Sequence, residues 1–402
     1  MYFDSHIHIG NFSVKISEEN KDLLGYIEYS KNTPENCIKK AIANSVVKAV
    51  VFPFPLREYS FQKQNDYVLS AAKKYPYFFV PFLLPESPAS LDKKKDFFFG
   101  IKDHFYLDLL DCRERNDVID FAQSEHKKYI FHAHWKKWEE KIIYLCQNFP
   151  KLEIIVAHSA RISPFLGDDL SSRLKNIKEL IPTKYQENFY FETSTIRNSK
   201  SIEDLVNIFG PTHILWGSDY PYYSVRGENV FSEEINTICS ANISDKDKEL
   251  ILRENFRTFY QNDEIWVRKA LPQDSFQLFD IIDTIIPQEQ KFLALHLKKP
   301  LIRSLIKKGQ HLLIAENMSS KIVGFLRSSD RRNNGVMVEE VYVCPEFRGK
   351  GIASKLINSI CASYESVEVK TFASNSAMIH TLEKMDFIPK YSPKGTMILW
   401  TK

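Results

Sequence analysis

From Tyr2 to about Gln261 the chain alternates short β-branched and aromatic runs with amphipathic stretches. The runs are YFDSHIHI, VVKAVVFPF, FFVPFLLP, FFGIKDHF, KKYIFHAH, LEIIVAHS, FYFETS and HILWGSDYP. Between most of them lie helix-like segments such as TPENCIKKAIANSV, RNDVIDFAQSEHK and WEEKIIYLCQNFP. Near-continuous apolar strands separated by amphipathic helices predict a parallel sheet covered by helices. Eight such strands in about 260 residues match an α/β (β/α)8 barrel of TIM type. An open doubly wound sheet is the alternative that strand counting leaves standing.

After NFRTFYQNDE the rhythm changes. One strand and two helices (around 272–309) lead into HLLIAE, KIVGFLRSS and VMVEEVYV, which read as antiparallel strands. A helix GIASKLINSICASY, a strand VEVKTFA, a helix NSAMIHTLEKM and a last strand TMILWT complete an α+β pattern. The expected domains are residues 1–261 and 264–402, and the short polar QNDE junction predicts that they touch.

With 402 residues, two cores are the default expectation. The formal net charge of +3 gives no electrostatic case for nucleic acid, so small-molecule partners are expected. No apolar run approaches the roughly 18–20 residues of a membrane span, and MYFDSHIHIG lacks the features of a signal peptide. Six scattered cysteines without a CxxC pair fit free thiols in a reducing cytoplasm.

Asp4-Ser5-His6-Ile7-His8 closes the first strand. Residues two apart share a strand face, so His6 and His8 point the same way and can ligate one ion. HxH alone reads equally as a polar strand end. His132 and His134 end the fifth strand, His158 the sixth and Asp219 the eighth, all at the barrel face where active sites lie.

FDSHIH, IFHAH, PKLEIIVAHSAR and ILWGSDYP stand in the order and spacing of the amidohydrolase superfamily, and residues 1–260 resemble its aminocarboxymuconate semialdehyde decarboxylase-like branch. The resemblance implies a divalent metal, most often zinc, on His6, His8, a strand-five histidine and Asp219. His132 aligns with that ligand better than His134, which is then a neighbouring or substrate contact. His158 becomes an acid–base or oxyanion-polarising group, and Asp219 is also suited to take a proton.

Lys102 reads as a barrel-lining lysine, although some superfamily members bridge two metals with a carboxylated strand-four lysine; His104 is a candidate pocket residue. Arg161 sits where it can clamp a substrate carboxylate or form a surface salt bridge. Trp135, Trp138, Tyr220 and Tyr222 can wall a planar or apolar substrate, or simply pack.

In VYVCPEFRGKGIASKLI a strand turns into a helix through small residues whose N–H groups can approach a pyrophosphate. Neither a Rossmann GxGxxG nor a P-loop GK[ST] is present. The segment resembles the Q/R-x-x-G-x-G/A motif of the GNAT N-acetyltransferases, with Arg348, Gly351 and Ala353 at the defining positions, and the likeness covers about 264–402. It implies acetyl-CoA (acyl-CoA) binding. Val341 and Val343 would pair with the pantetheine arm, Arg348, Gly349, Lys350, Gly351, Ile352 and Ala353 would cradle the pyrophosphate, and Asn375 would contact the cofactor.

Two positions depart from that family: Leu382 replaces a thiolate-protonating tyrosine, and Asp386 replaces the glycine of the closing GF. Either Tyr364, His380 or Tyr391 serves instead of the tyrosine, or a water does, or the domain transfers slowly. Glu340 and its neighbour Glu339 are the candidate bases for an acceptor amine. The expectation is a bifunctional enzyme that hydrolyses an amide- or lactone-type bond and N-acetylates a small amine. The alternative is a decarboxylase barrel carrying a non-catalytic CoA-binding module.

Overall fold

The computed structural model describes residues 1–10, 32–54, 60–104, 112–132, 138–160, 170–222, 229–260, 265–285, 299–307, 312–317, 320–391 and 397–402. The chain divides into two compact units, Met1–Ala72 with Phe79–Gln261, and Lys73–Phe78 with Asn262–Lys402.

The first unit is an eight-stranded parallel sheet in sequential order: β1 (Tyr2–Ile9), β2 (Val46–Pro53), β3 (Phe79–Leu83), β4 (Gly100–Asp103), β5 (Lys128–His132), β6 (Ile154–Ala157), β7 (Phe189–Glu192) and β8 (Ile214–Leu215). It curls back on itself. Ser5 N–H donates to the Trp216 carbonyl at 2.8 Å and His8 N–H to that of Tyr220 at 2.7 Å, so β1 meets the chain leaving β8. Every residue of β2 is buried, which is why these strands read as unbroken apolar runs rather than alternating ones. The helices carry ordinary start signals. Thr33 caps Pro34–Ala43 by accepting from Asn36 N–H, with Pro34 at the first position, where its missing N–H costs nothing.

This closure fixes the residues that matter. Parallel register sets Lys102 beside Ile130 and His132 beside Ala157, so consecutive strands deliver His132 and His158 to one rim.

The second unit is a mixed seven-stranded sheet of order β14-β15-β13-β12-β11-β10-β9. Its strands are β9 (Ile265–Lys269), β10 (Leu312–Asn317), β11 (Ile322–Arg331), β12 (Gly335–Val343), β13 (Ser366–Phe372), β14 (Ile388–Tyr391) and β15 (Met397–Thr401). The helix Ile352–Cys361 follows β12, and Ser376–Lys384 follows β13. The strand β14 was not anticipated: IPKY is short, half polar and carries a proline. Its pairing with β15, from Ile388↔Thr401 to Tyr391↔Ile398, makes it the sheet edge, where a proline is tolerated.

One irregularity opens this sheet. The β12–β13 ladder is parallel and ends at Val338↔Val369, whereas β12–β11 continues to Val343↔Gly324 past a register shift at Arg327/Ser328. The edge of Glu339–Val343 that faces β13 thus lies beyond that ladder.

Candidate functional site

At the carboxyl ends of the barrel strands, hydrogen bonds on the far side of each ring set the imidazole tautomers. His8 Nδ1 lies 2.9 Å from the Pro53 carbonyl, which can only accept, so Nδ1 carries the proton. His6 Nδ1 lies 2.8 Å from Glu192 Oε2. Both Glu192 oxygens already accept backbone N–H groups, from Ser194 on one and His158 on the other, so His6 is the donor there as well. His158 Nδ1 faces the Ser194 carbonyl at 3.3 Å and its Oγ at 2.7 Å. All three rings therefore turn an unprotonated Nε2 away from these partners.

Those lone pairs converge. The Nε2 atoms of His6 and His8 are 3.2 Å apart, and Asp219 Oδ1 lies 3.4 Å from the first and 3.5 Å from the second. His6, His158 and Asp219 each place a ligand atom within 4.8 Å of the others. His132 is near, its ring centroid 4.5 Å from that of His158 and 4.4 Å from that of His104. Electron pairs facing one another across 3.2 Å call for a cation between them, and nitrogen donors with a carboxylate oxygen suit a divalent metal. The donor set fits the ion that the resemblance implied.

Electrostatics agree. Burial, then the Lys102 charge, holds His6 and His8 well below the usual imidazole range; burial, then His6, does the same to His158. All three are neutral, as ligands must be. Burial pushes the Asp219 carboxyl well above its ordinary range, with Lys102 opposing. A bound cation reverses that preference by favouring the carboxylate. Lys102 is fully buried with its Nζ 2.8 Å from His6 Nε2, and burial depresses it to about 8. Expected as a lining residue, it contacts the site itself.

Backbone strain gathers at the same place. His158, Ser159 and Ala160 adopt φ of 53°, 49° and 61°, and Asp219 adopts 54°, a left-handed conformation that costs about 1 kcal/mol or more for non-glycine residues. Around His8, Phe54 stacks at 5.3 Å and Tyr222 meets the ring edge at 5.7 Å, forming an aromatic wall. Tyr220 instead packs on Phe231 at 5.1 Å. His134, Trp135, Arg161 and the QNDE junction lie outside the described residues, as do the side chains of Trp138 and Tyr391. Glu192 and Ser194 were missed by sequence reasoning; the available signal was a carboxylate ending the otherwise apolar strand FYFE.

In the second unit, the opening between β12 and β13 is a cleft of about 610 Å³. Glu339 to Val343 all line it, with Glu339, Val341 and Val343 half-buried and Glu340 and Tyr342 buried. Gly349 and Gly351 have φ of 77° and 74°, and Gly351 caps the helix Ile352–Cys361. Arg348, Ile352, Ala353 and Asn375 also line the cleft, and Asn375 Oδ1 accepts from Met378 N–H at 3.2 Å as a helix cap. Arg327 Nε donates to Glu340 at 2.8 Å, and Ser329 Oγ to Glu339 at 2.6 Å. Leu382 is fully buried, and Tyr364 donates to Asp330 at 3.2 Å. Of the possible substitutes for the missing tyrosine, His380 lines the cleft.

Residues 140–261 match the amidohydrolase family model, and residues 277–387 match the acetyltransferase (GNAT) family model. The barrel is amidohydrolase-type and the second unit is GNAT-type. No curated protein matches the sequence. Among solved structures the chain is similar to a probable 2-pyrone-4,6-dicarboxylic acid hydrolase from Acinetobacter baumannii, at 14% identity and a TM-score of 0.50 over 64% of this chain and 98% of that one. It is also similar to a 5-carboxyvanillate decarboxylase from Sphingomonas paucimobilis, at 13% identity and a TM-score of 0.48 over 64% and 98%. Ard1 from Thermoplasma volcanium matches at 18% identity and a TM-score of 0.29 over 35% and 97%. At 14% identity the first of these likenesses is one of fold. Among the described residues, no helix of either unit is long and apolar enough to cross a membrane.

Proposed function

We propose that the chain is a bifunctional enzyme, its amidohydrolase-type barrel a metal-dependent hydrolase and its GNAT-type domain an acyl-CoA N-acyltransferase for a small amine. The two domains are residues 1–261 and 264–402. The observation that carries the barrel reading is the convergence of the His6 and His8 Nε2 lone pairs with Asp219 Oδ1. These three are the metal ligands, and the resemblance adds His132. A divalent ion held there would supply Lewis acidity toward a substrate carbonyl. The residues do the rest. His158, neutral with Nε2 unprotonated, accepts or returns a proton at that nitrogen. Asp219, beside His6 and His8, does the same at its carboxylate. Phe54 and Tyr222 wall a planar or apolar substrate beside His8. Elemental analysis of chelator-free protein tests this: about one metal per chain is expected, most often zinc, and metal-free protein sinks it.

In the GNAT-type domain, the edge at Val341 lies beyond the β12–β13 ladder, where a pantetheine amide can pair, while the Val343 carbonyl accepts from Arg348 Nε at 2.9 Å; the loop Arg348–Ala353 offers N–H groups to a pyrophosphate. Glu339 is the better-placed base for the acceptor amine, because Glu340 is buried against Arg327. The buried Leu382 favours a second reading, in which this domain binds CoA without transferring the acyl group. Acyl-CoA turnover by the full chain with a panel of small amines separates the two.

A further inference from the structure

We infer that Glu192 is a positioning residue that holds His6 directly, and His158 through Ser194, in one and the same tautomer. The inference rests on the metal reading of the barrel, and part of its test is independent of it.

The argument is a count of donors and acceptors. Glu192 is fully buried at the end of β7. Its Oε1 accepts from Ser194 N–H. Its Oε2 accepts from His6 Nδ1–H at 2.8 Å, from Ser194 Oγ–H at 2.8 Å and from His158 N–H at 3.2 Å. Ser194 has one hydroxyl proton, and it goes to Glu192. Toward His158 Nδ1, 2.7 Å away, the hydroxyl oxygen can then only accept. One carboxylate thus places the proton on Nδ1 of two rings from two different strands and leaves both Nε2 atoms bare toward the site. It also accepts His158 N–H, helping to hold that residue at its left-handed φ of 53°.

Glutamine has nearly the same shape and cannot do this. Turned either way, its NH2 group faces a donor: Ser194 N–H at the Oε1 position, or His6 Nδ1–H and Ser194 Oγ–H at the Oε2 position. One interaction must break, and a buried donor is left unpaired. The backbone shows how closely this carboxylate is held. A Cβ on Gly217 would meet Glu192 Oε1 at 2.2 Å and the His6 Cβ at 2.8 Å, so only glycine lets β8 approach the pair. The glycine of WGSDYP is there for that contact.

The test uses the full chain as wild type and as Glu192→Gln, Ser194→Ala, Ser194→Thr and Gly217→Ala variants. Zinc(II) affinity is measured against a chromophoric chelator, and the ring 15N shifts of histidine are read in 15N-His protein without metal. Glu192→Gln should weaken zinc about ten- to hundredfold, the usual cost of losing a partner behind a ligand. Its His6 ring shifts should move from the wild-type values, because a neutral amide oxygen holds the Nδ1–H less firmly than a carboxylate. Gly217→Ala, by displacing the carboxylate, should change zinc affinity in the same direction. Ser194→Ala should keep zinc affinity and the His6 signature but shift the His158 ring signals, because Nδ1–H is left with the longer contact to the residue 194 carbonyl, 3.3 Å in the wild type, and Ser194→Thr should restore them. Glu192→Gln with wild-type zinc affinity and ring shifts overturns the inference, and so does Ser194→Ala with an unchanged His158 ring. Wild-type protein that takes up no zinc counts against the metal reading instead, and the ring shifts then decide this inference alone. If Glu192→Gln does not fold, the two Ser194 variants carry the test.

Discussion

The Nε2 atoms of His6 and His8 lie 3.2 Å apart, each without a proton. That arrangement repels itself unless positive charge sits beside it, and among the described residues Lys102 Nζ supplies such a charge, 2.8 Å from the His6 nitrogen. A metal ion and the lysine ammonium are therefore competitors for one lone pair. Replacing Lys102 by methionine should tighten zinc binding at neutral pH about tenfold or more, since it removes a charge from a poorly screened site. Weaker zinc binding in that variant would instead make Lys102 a ligand in its own right.

Zinc affinity should also rise with pH between about 6 and 8. The sign follows from two groups. Burial lowers Lys102 to about 8, so its ammonium loses a proton across this window, and burial also raises the Asp219 carboxyl, whose proton a bound cation displaces. Binding that releases protons strengthens as pH rises. The histidines do not oppose this, because burial keeps His6, His8 and His158 neutral throughout. Calorimetry in buffers of different ionisation enthalpy counts the released protons; a pH-independent affinity would mean that neither group gives up a proton when the ion binds.

Much of this was legible in the sequence, for identifiable reasons. Barrel strands buried on both faces must be apolar along their length, so VVKAVVFP announces itself, and polar residues such as His132 at the end of β5 and Asp219, four residues beyond β8, stand out against it. What stayed hidden is pairing across distance. His6 and Glu192 are 186 residues apart, and nothing in FYFETS says which ring its carboxylate serves. The Pro53 carbonyl behind His8 is a backbone group and has no sequence signal at all. The strand β14 was hidden because an edge strand buries little and tolerates the Pro and Lys of IPKY.

Asp386 predicts a stability gain. It follows the helix Ser376–Lys384 with φ of 60°, the position where a helix exit favours glycine. Asp386→Gly should relieve left-handed strain and stabilise the second unit by about 0.5–1 kcal/mol, read as a shift of its unfolding transition by a few degrees. Zinc affinity should not change. A lower transition temperature would show that the aspartate side chain makes a compensating contact.

The last prediction sets Gly351 against Gly217, two glycines with opposite surroundings. A Cβ on Gly217 collides with protein, whereas one on Gly351 meets nothing within 4 Å. Gly351 lines the cleft and caps the helix Ile352–Cys361, so its Cβ would point into room the fold leaves open. If that room is where a pyrophosphate sits on backbone N–H groups, a side chain there costs ligand binding more than folding. Its φ of 74° adds left-handed strain of about 1–2 kcal/mol for any other residue. Gly351→Ala should therefore weaken coenzyme A by about tenfold or more in calorimetry, while thermal unfolding shifts by only a few degrees. Zinc binding in the barrel should stay at wild-type strength, because His6, His8 and Asp219 belong to the other compact unit. Wild-type coenzyme A affinity in the variant would remove the loop Arg348–Ala353 from the ligand's path and leave the cleft without its assigned anion site.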